Sequence, residues 1–366
     1  MPRTVLVAPD KFKGTLTAAQ AADAIAIGWR CARGDDRIEL LPITDGGDGF
    51  GEIVSGLLHG APQTTKAVDA AHRPCNVTWW CHEQSRTAVI ESARVIGLAQ
   101  LPPGKYHPFE LDTRGLGELL LAIAAKGGRE CLIGIGGSAT NDGGFGMADA
   151  LGWQFFNDHD QKITRWTELH SLAQIRPPDK QPLFDHVTVA VDVQNPLLGQ
   201  QGCTRIYGPQ KGLKPEDFEF AERCLEQISV ILSKELHLNC AEEPGAGAAG
   251  GLGYGSRCFL GAKLEPGFNL FARYANLARR LGNVDLVITG EGAIDSSSLM
   301  GKGVGELATL CKRLHVPCIG IGGVVTSGDA FTKTYSLTPA FVSQEEAFAN
   351  PATHLEALAA KAAHEL

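Results

Sequence analysis

The feature that most constrains the fold is a glycine-rich segment, residues 134–144, which has five glycines in eleven positions. It follows the apolar run 131–133, which is typical of a buried strand, and it precedes residues 145–151, whose apolar residues have helical spacing. Glycine permits positive φ and a close approach of backbone to ligand, and the first N–H groups of a helix have no partner within the helix. Such a loop attracts anions. The order of strand, glycine loop and helix therefore predicts an α/β protein with a phosphate-binding loop.

Polar side chains in the same segment support this interpretation. Ser138, Thr140 and Asn141 can donate hydrogen bonds to phosphate oxygens, and Asp142 can hold a cation that bridges two phosphates. The simpler alternative is a tight turn with a helix cap, which accounts for any two of these residues but less easily for all of them. The residues expected to bind phosphate or nucleotide, including a lysine from a later loop, are Gly136, Gly137, Ser138, Thr140, Asn141 and Lys211.

Known nucleotide-binding fingerprints do not describe this segment. The dinucleotide pattern G-x-G-x-x-G/A occurs at 134–139, but no acidic residue that could contact a ribose ends a strand about twenty positions later. The same pattern at 245–250 has no strand before it, and a chain with 44 glycines yields such matches by accident. A Walker A sequence is absent. A nucleotide site in this chain would therefore be of another type.

Composition and charge exclude several classes of partner. The net charge of −8 and the pI near 5.8 disfavour nucleic acid and anionic membranes, which attract basic surfaces. No apolar run approaches the roughly twenty residues of a membrane span, and the first residues lack the pattern of a signal peptide. The ten cysteines show no spacing typical of zinc sites and are expected to be reduced. We therefore expect a cytoplasmic protein, monomer or homodimer, that binds small molecules.

Both ends of the chain show the alternation of strands and helices that builds a parallel sheet. A helix is predicted to begin at Thr17, since Thr17 and Gln20 have the spacing of a capping box. The strands expected in this sheet lie at residues 5–9, 38–43, 284–289, 316–321 and 340–342. They predict a discontinuous, Rossmann/flavodoxin-like, doubly wound domain of residues 1–62 and 275–366.

The middle of the chain has a different pattern, typical of a mixed sheet. Segments rich in β-branched and aromatic residues, separated by turn-prone residues, are expected to form hairpin-like strands at 64–69, 76–81 and 87–92. Residues 63–274 are therefore predicted to be an inserted α/β domain that carries the glycine-rich loop. Because ligands bind at the carboxyl ends of parallel strands, we expect the active-site cleft between the two domains.

Acidic residues follow the predicted strands in five places. Each has a simple explanation as a turn or cap residue, but five with the same placement indicate a common site. If the two domains face each other, these carboxylates line one cleft, where some can hold Mg²⁺ and one can take a proton from a hydroxyl group. They are Asp10, Asp45 with Asp48, Asp142, Asp192, and Glu291 with Asp295.

Basic residues could complete such a site. Lys11, Lys13, Lys211 and Lys302 lie in glycine-containing polar loops, where their charges would neutralise phosphate oxygens. Arg94 and Arg114 are candidates for clamping a small carboxylate, because a guanidinium group can bind both carboxylate oxygens. No histidine is assigned a role, and the sequence lacks the Gly-x-Ser-x-Gly pattern of serine hydrolases.

Seven segments, taken in order, closely resemble the bacterial type I glycerate kinases: residues 8–14, 45–49, 134–144, 192–197, 208–212, 245–253, and 289–292 with Asp295. The resemblance covers nearly the whole chain. It implies two α/β domains around a cleft, one of them Rossmann-like. It also implies that ATP, with Mg²⁺, phosphorylates D-glycerate in the cytoplasm to give 2-phosphoglycerate and ADP.

The residues and the resemblance together suggest one mechanism. The loop at 136–141 and Lys211 would bind phosphates, and Asp192, with Asp142 or Glu291, would organise Mg²⁺. Either Asp192 or Asp295 would orient the attacking hydroxyl. The residues assigned to catalysis are Asp192, Asp295 and Lys11, those at the substrate are Lys13, Asp45, Gly46, Gly47 and Asp48, and those at the metal are Asp142, Asp192 and Glu291.

Two other functions are compatible with parts of this pattern. A non-catalytic sensor of small anionic metabolites would keep the two-domain cleft and use the carboxylates for closure. An NAD-dependent dehydrogenase would need the acidic ribose-binding residue that the sequence lacks. Release of ADP from ATP that depends on added glycerate would distinguish the kinase from both.

Overall fold

The structure is a computed structural model that describes residues 2–179, 182–296, 298 and 303–366. The chain groups by contact into two compact units. The first unit is Met1–Asp45 with Phe268–Leu366, and the second is Gly46–Gly267. The first unit therefore comes from both ends of the chain. The domain boundaries expected from the sequence, 1–62 with 275–366 and 63–274, stay a prediction, since grouping by contact does not test which parts fold independently.

The strands and helices of the described residues are numbered in chain order. The strands are β1 (Thr4–Val7), β2 (Arg37–Leu40), β3 (Ala61–Val68), β4 (Pro74–His82), β5 (Thr87–Glu91), β6 (Glu130–Gly134), β7 (Gln154–Asn157), β8 (Leu172–Arg176), β9 (His186–Val191), β10 (Lys263–Pro266), β11 (Leu286–Ile294), β12 (Cys318–Val325) and β13 (Lys333–Ser336). The α-helices are α1 (Ala18–Ala32), α2 (Phe50–Leu58), α3 (Ala93–Ile96), α4 (Arg114–Ala125), α5 (Phe145–Ala150), α6 (Cys203–Lys211), α7 (Pro215–Leu236), α8 (Ala248–Leu260), α9 (Gly267–Tyr274), α10 (Leu277–Leu281), α11 (Gly303–Arg313), α12 (Gln344–Ala349) and α13 (Pro351–His364). None of these helices combines the length and the apolar character needed to cross a membrane.

The first unit is built on a five-stranded sheet in the order β13-β12-β11-β1-β2, in which every neighbouring pair is parallel. This arrangement confirms the predicted parallel sheet assembled from the two ends of the chain. Helix α1 begins as predicted, because the Thr17 hydroxyl accepts from the Gln20 N–H and the Gln20 side chain accepts from the Thr17 N–H. Its buried face, with Ile25 and Trp29, packs in one core with residues of β1 and α13.

One predicted strand of this sheet is wrong. Residues 340–342 lie in a turn, in which the N–H groups of Phe341 and Val342 donate to the carbonyl of Leu337. The fifth strand is instead β13, which pairs in parallel with β12. The prediction followed an apolar run, but Pro339 directly before that run has no N–H to contribute to a sheet. The true strand is polar at most positions and buries mainly Tyr335.

The second unit contains a six-stranded sheet in the order β10-β9-β6-β5-β4-β3. The pairs β3–β4 and β4–β5 are antiparallel, and the pairs β5–β6, β6–β9 and β9–β10 are parallel. The predicted mixed sheet and its hairpin-like strands are therefore confirmed. Strands β7 and β8 form a separate antiparallel ribbon beside α7. Helix α2, which the sequence analysis did not predict, packs against β4 and β5 and so belongs with this sheet.

Candidate active site

The glycine-rich loop connects β6 to α5, as the sequence predicted. Gly137, Gly143 and Gly144 have φ values of 78°, 64° and 79°, in the left-handed region that favours glycine. Neighbouring backbone holds the loop in place, since the Ala139 N–H donates to the carbonyl of Ile96 at 2.9 Å. Contacts within the protein thus give the loop a defined shape.

A second glycine loop, residues 46–49, packs against the glycine-rich loop. A Cβ at Gly136 would lie 2.7 Å from the Cα of Gly47, and a Cβ at Gly137 would lie 2.9 Å from Asp48 Oδ1. The Gly136 N–H donates to the carbonyl of Gly46 at 3.3 Å. The contact with the Gly47 backbone leaves no room for a side chain at Gly136, and the positive φ of Gly137 disfavours one at that position. The structure therefore brings the predicted phosphate-binding glycines together with three of the predicted substrate-binding residues.

A pocket of about 90 Å³ opens beside the glycine-rich loop, and we call it the phosphate pocket. It combines predicted site residues with others that the sequence analysis did not assign. The predicted residues that line it are Gly136, Gly137, Ser138, Asp192 and Lys211. The unassigned ones are Val193, Tyr207, Gln210 and Ala249. Of these four unassigned residues, all except Tyr207 lie in segments that carry the family resemblance. The resemblance was therefore the signal that could have identified them.

Lys211 is the buried cation of the phosphate pocket. It ends α6 and is only 7% exposed. Its Nζ donates to Ser138 Oγ at 3.1 Å and to the carbonyl of Thr140 at 2.6 Å. Burial lowers the pKa of Lys211 to about 8. These two bonds use two of the three protons of the ammonium group, so an anion in the pocket would supply a partner for the third.

Thr140 and Asn141 lie behind the glycine-rich loop, and neither lines the phosphate pocket. Both are fully buried. The Asn141 amide donates to Thr204 Oγ1 at 3.0 Å, which ties the loop to α6. Among the described residues, Asn141 Oδ1 and Thr140 Oγ1 have no hydrogen-bond partner. Their predicted role in binding phosphate stays a prediction, while their positions support a role in holding the loop against the helix that carries Lys211.

Asp142, which the sequence analysis assigned to the metal, accepts hydrogen bonds within the protein, and its role at the metal stays a prediction. It is fully buried, and burial together with the charge of Asp112 raises its pKa to about 6. Its Oδ2 accepts hydrogen bonds from the N–H and hydroxyl of Thr113 and from the Gly146 N–H, and its Oδ1 accepts from the Gly144 N–H. These four donors occupy the carboxylate within the protein. Asp142 therefore holds the backbone at the start of α5 in place. No sequence pattern near Thr113 indicated that this residue would donate to Asp142.

Asp192 lies at the end of β9, where its side chain is exposed and lines the phosphate pocket. The segment that follows it is tied to α6, because the Tyr207 hydroxyl donates to Asn195 Oδ1 at 2.7 Å. Burial and the nearby charge of Asp192 raise the pKa of Tyr207 to about 12, so the phenol keeps its proton. Asn195 Nδ2 in turn donates to the carbonyl of Gln201 at 2.8 Å. Tyr207 thus connects the Asp192 segment to the helix of Lys211.

The two arginines proposed as carboxylate clamps are engaged in ion pairs. Arg94 contacts Glu52 at 2.7 Å and Glu91 at 3.3 Å. Arg114 contacts Glu118 and Asp149. Glu91, which the sequence analysis missed, also accepts from the N–H groups of residues 49 and 51 and so supports the second glycine loop from behind. In this arrangement, both guanidinium groups stabilise the second unit itself.

Asp10 lies near enough to two other predicted acidic residues of the first unit, Asp45 and Glu291, for their charges to act on it. This side chain is 8% exposed, and its pKa is raised by burial and by the charges of Asp45 and Glu291, with Lys11 acting in the opposite direction. Its Oδ1 accepts from the Lys11 N–H at 2.7 Å. The loops that leave β1 and β2 therefore meet β11 at one edge of the parallel sheet, as expected for carboxyl ends of parallel strands.

Two further predicted residues, Lys13 and Asp295, lie nearby in the first unit, whereas Lys302 lies outside the described residues. Lys13 is exposed, and a Cβ at Gly292 would lie 3.3 Å from its backbone nitrogen. Asp295 belongs to a turn in which its Oδ1 accepts from the Ser298 N–H at 3.2 Å. The loop at Lys13 therefore runs beside β11, and Asp295 follows directly after that strand.

The described carboxylates suit Mg²⁺ only in part. Among the described residues, no group of three or more His, Cys, Asp or Glu side chains is placed to hold a metal ion by itself. Mg²⁺ commonly keeps several waters and binds through one or two carboxylates together with substrate phosphates. Asp192, an exposed carboxylate at the phosphate pocket, fits a site of that kind.

Comparison with known proteins identifies the family of this chain. The model of the glycerate kinase family matches residues 5–366. Glycerate 2-kinase of Escherichia coli K12 is 37% identical over 325 residues, 88% of this chain and 85% of that protein. Glycerate kinase of Halalkalibacterium halodurans is 36% identical over 353 residues, 94% of this chain and 93% of that protein. A solved structure of a candidate glycerate kinase 2 from Salmonella typhimurium LT2 has a TM-score of 0.85 and 33% identity, covering 100% of this chain and 98% of that one. The chain belongs to the glycerate kinase family.

Proposed function

We propose that this chain is an ATP-dependent glycerate 2-kinase, which transfers the γ-phosphoryl group of ATP to the 2-hydroxyl of D-glycerate with Mg²⁺ present. Membership of the glycerate kinase family supports the phosphorylation of glycerate. The 2-hydroxyl is favoured by the Escherichia coli relative, whose name is glycerate 2-kinase. The observation that carries the proposal is the phosphate pocket, in which a buried lysine, a glycine-rich loop and an exposed carboxylate meet.

The phosphate pocket supplies what phosphoryl transfer requires. Negative charge spreads over the three equatorial oxygens of the transferred group, so catalysis depends on positioning and on fixed positive charge and hydrogen-bond donors. Lys211 provides a charge that burial keeps from being screened by water. Ser138 and the backbone N–H of Gly137 provide further donors beside it.

Asp192 is the carboxylate of the second unit that we assign to the reaction. When bound, Mg²⁺ would neutralise charge on the phosphate oxygens, and Asp192 would hold it there together with those oxygens. Alternatively, Asp192 orients the glycerate hydroxyl and accepts its proton as the oxygen attacks the γ-phosphorus and the bond to the β-phosphate oxygen breaks. Tyr207 would keep the Asp192 segment in place, since it bonds to Asn195.

The second glycine loop is proposed to face glycerate. Gly46, Gly47 and Asp48 support this role, because they pack directly on Gly136 and Gly137. An acceptor bound there would therefore lie near the transferred phosphoryl group. The residues of the first unit keep the roles suggested by the resemblance: Lys11 in catalysis, Lys13 and Asp45 at glycerate, Glu291 at the metal, and Asp295 at the attacking hydroxyl.

Two measurements test the proposal. Purified protein with ATP, Mg²⁺ and D-glycerate should release ADP only when glycerate is present. Its product should be converted to phosphoenolpyruvate by enolase without a mutase, because enolase accepts 2-phosphoglycerate. Product that enolase uses only after a mutase is added would refute the 2-kinase assignment, and ADP release independent of glycerate would refute the kinase assignment.

A matched pair of lysine variants tests the phosphate pocket. Lys211→Met removes the buried charge, and we expect a loss of kcat/KM for ATP of at least about a hundredfold. Lys234→Met, which removes an exposed lysine in the last turn of α7, should leave it unchanged. Equal activity of the two variants would exclude Lys211 from the reaction.

The sensor alternative predicts that ATP and glycerate bind without turnover, and no comparison supports it, since the family and the named relatives are kinases. Small molecules are therefore the proposed partners. A cytoplasmic location and a monomeric or homodimeric state stay predictions. Gel filtration with light scattering would test the oligomeric state.

A further inference from the structure

A second, larger pocket lies next to the phosphate pocket. Its volume is about 470 Å³. Val191 and Gln194 line this larger pocket, whereas Asp192 and Val193, between them in the chain, line the phosphate pocket. One four-residue segment at the end of β9 thus contributes to both. The two pockets are therefore lined by consecutive residues of the same segment.

The lining of the larger pocket combines apolar walls with a few polar groups. Its apolar residues include Val191, Pro244, Leu264 and Pro266. Its polar groups include the exposed carboxamide of Gln194 and an ion pair in which Arg257 Nε lies 3.0 Å from Glu243 Oε2. Ligand sites of small heterocyclic molecules typically have this composition, in which apolar side chains cover the ring faces and a few polar groups fix the orientation.

We propose that the larger pocket binds the nucleoside of ATP, while the triphosphate lies along the glycine-rich loop and Lys211. The inference rests on the proposed kinase function and extends it, because that function does not say where the base binds. The Gln194 carboxamide can pair with the amino group and N7 of adenine. The Glu243 carboxylate can accept hydrogen bonds from the ribose hydroxyls, as acidic residues do in other nucleotide sites.

A third pocket, of about 500 Å³, shows that size alone does not select the nucleoside site. It is lined by residues of α7 and of the loop after it, among them Val230 and Lys234. Within the described part of the chain, none of its lining residues is adjacent in sequence to a residue that lines the phosphate pocket, whereas Val191 and Gln194 of the larger pocket are. The larger pocket next to β9 is therefore favoured by its shared segment, 191–194, and by its lining.

Three variants separate these possibilities. Gln194→Ala removes the carboxamide, and Pro244→Trp fills the larger pocket, whereas Val230→Trp fills the third pocket as a matched control. All three side chains are exposed, so the substitutions should leave the fold intact, which melting temperatures would verify. Calorimetry with Mg²⁺ would measure the affinity of each protein for ATP, for GTP and for inorganic tripolyphosphate, a probe without a nucleoside.

We expect Gln194→Ala and Pro244→Trp to weaken ATP binding by about tenfold, because each loses contacts with the base. Binding of tripolyphosphate should be unchanged in both. Gln194→Ala should also lose preference for ATP over GTP, since guanine has an acceptor where adenine has its amino group. Val230→Trp should match the unsubstituted protein for all three ligands.

Several results would overturn the assignment. Unchanged ATP affinity in both pocket variants would place the nucleoside elsewhere, and an equal loss in Val230→Trp would show that the effect is not local. If either of these outcomes were found while Lys211→Met lost its binding of tripolyphosphate, the kinase proposal would stand and only the nucleoside site would fail. If the unsubstituted protein bound neither ATP nor tripolyphosphate, the proposed function itself would fail.

Discussion

Raising the pH above about 8 should impair use of ATP by removing a proton from Lys211. Burial lowers the pKa of this side chain from 10.5 to about 8. At about 1.4 kcal/mol per pKa unit, burial disfavours its ammonium form by about 3 kcal/mol. The neutral amine can still fill the pocket, but it no longer offsets the charge of a phosphate. Lys211, which makes the pocket suitable for phosphate, is therefore also the group that limits the pH range in which the protein can use ATP.

Loss of this proton from Lys211 has the opposite effect on the stability of the fold. The pKa of Lys211 is lower in the folded protein than in the unfolded chain, so between about pH 8 and 10.5 the unfolded chain binds more protons at this site. The contribution of Lys211 to stability therefore rises with pH across that window and is constant below it. A loss of activity above pH 8 that arose from this residue would thus occur without destabilisation by it.

The assay is the pH dependence of kcat/KM for ATP at saturating glycerate, from pH 7 to 10, because this ratio reports groups of the free enzyme. We expect a decline that approaches about tenfold per pH unit above pH 8. The decline in kcat should begin at higher pH, since bound phosphate favours the ammonium form. Lys211→Met should have low activity without this decline. A flat profile to pH 9.5, or the same decline in Lys211→Met, would refute the reasoning, provided that melting temperatures show folded protein.

Three substitutions test other parts of the site. Asp192→Asn keeps the shape of an exposed side chain but removes its charge, so kcat should fall by orders of magnitude with an unchanged melting temperature; near-normal kinetics would remove Asp192 from the mechanism. Asp142→Ala leaves the hydrogen-bond donors of Thr113 and of the glycine-rich loop without an acceptor. It should therefore lower the free energy of unfolding, measured by urea titration, by about 3 kcal/mol. The control Asp158→Ala changes an exposed side chain and should leave this free energy unchanged. Tyr207→Phe removes the bond to Asn195 and should lower kcat by about tenfold with little change in stability; an unchanged kcat would show that this bond does not position Asp192.

The elements that the sequence predicted well are those whose signals are local. The capping box at Thr17 and Gln20 lies within four residues and sets the start of α1. The glycine-rich loop lies between an apolar strand and a helix, and each of the three is visible in its own residues. The fifth strand of the first sheet was misplaced because β13 is a polar strand with one mainly buried residue, Tyr335, and a short apolar run lies close behind it.

Helix α2 shows why other elements were missed. Its N-cap is Gly49, in the left-handed conformation and with no side-chain hydrogen bond, so the usual cap residue is absent. The N–H groups of Gly49 and Gly51 are instead satisfied by Glu91, which is 42 and 40 residues away in the chain. A donor that is satisfied only by a distant side chain leaves no pattern near the helix. Sequence alone therefore revealed the glycines of the second loop but not the helix that they begin.

Asp142 and Asp192 show the same limit at the level of chemistry. Both follow strands of the second unit within polar, turn-forming segments, so the sequence assigned both to the metal. In the structure, four hydrogen bonds from the protein occupy the Asp142 carboxylate, and two of them come from Thr113, 29 residues earlier. Asp192 lies exposed at the phosphate pocket. The two carboxylates therefore lie in different surroundings, one buried and one exposed, although their sequence contexts are alike.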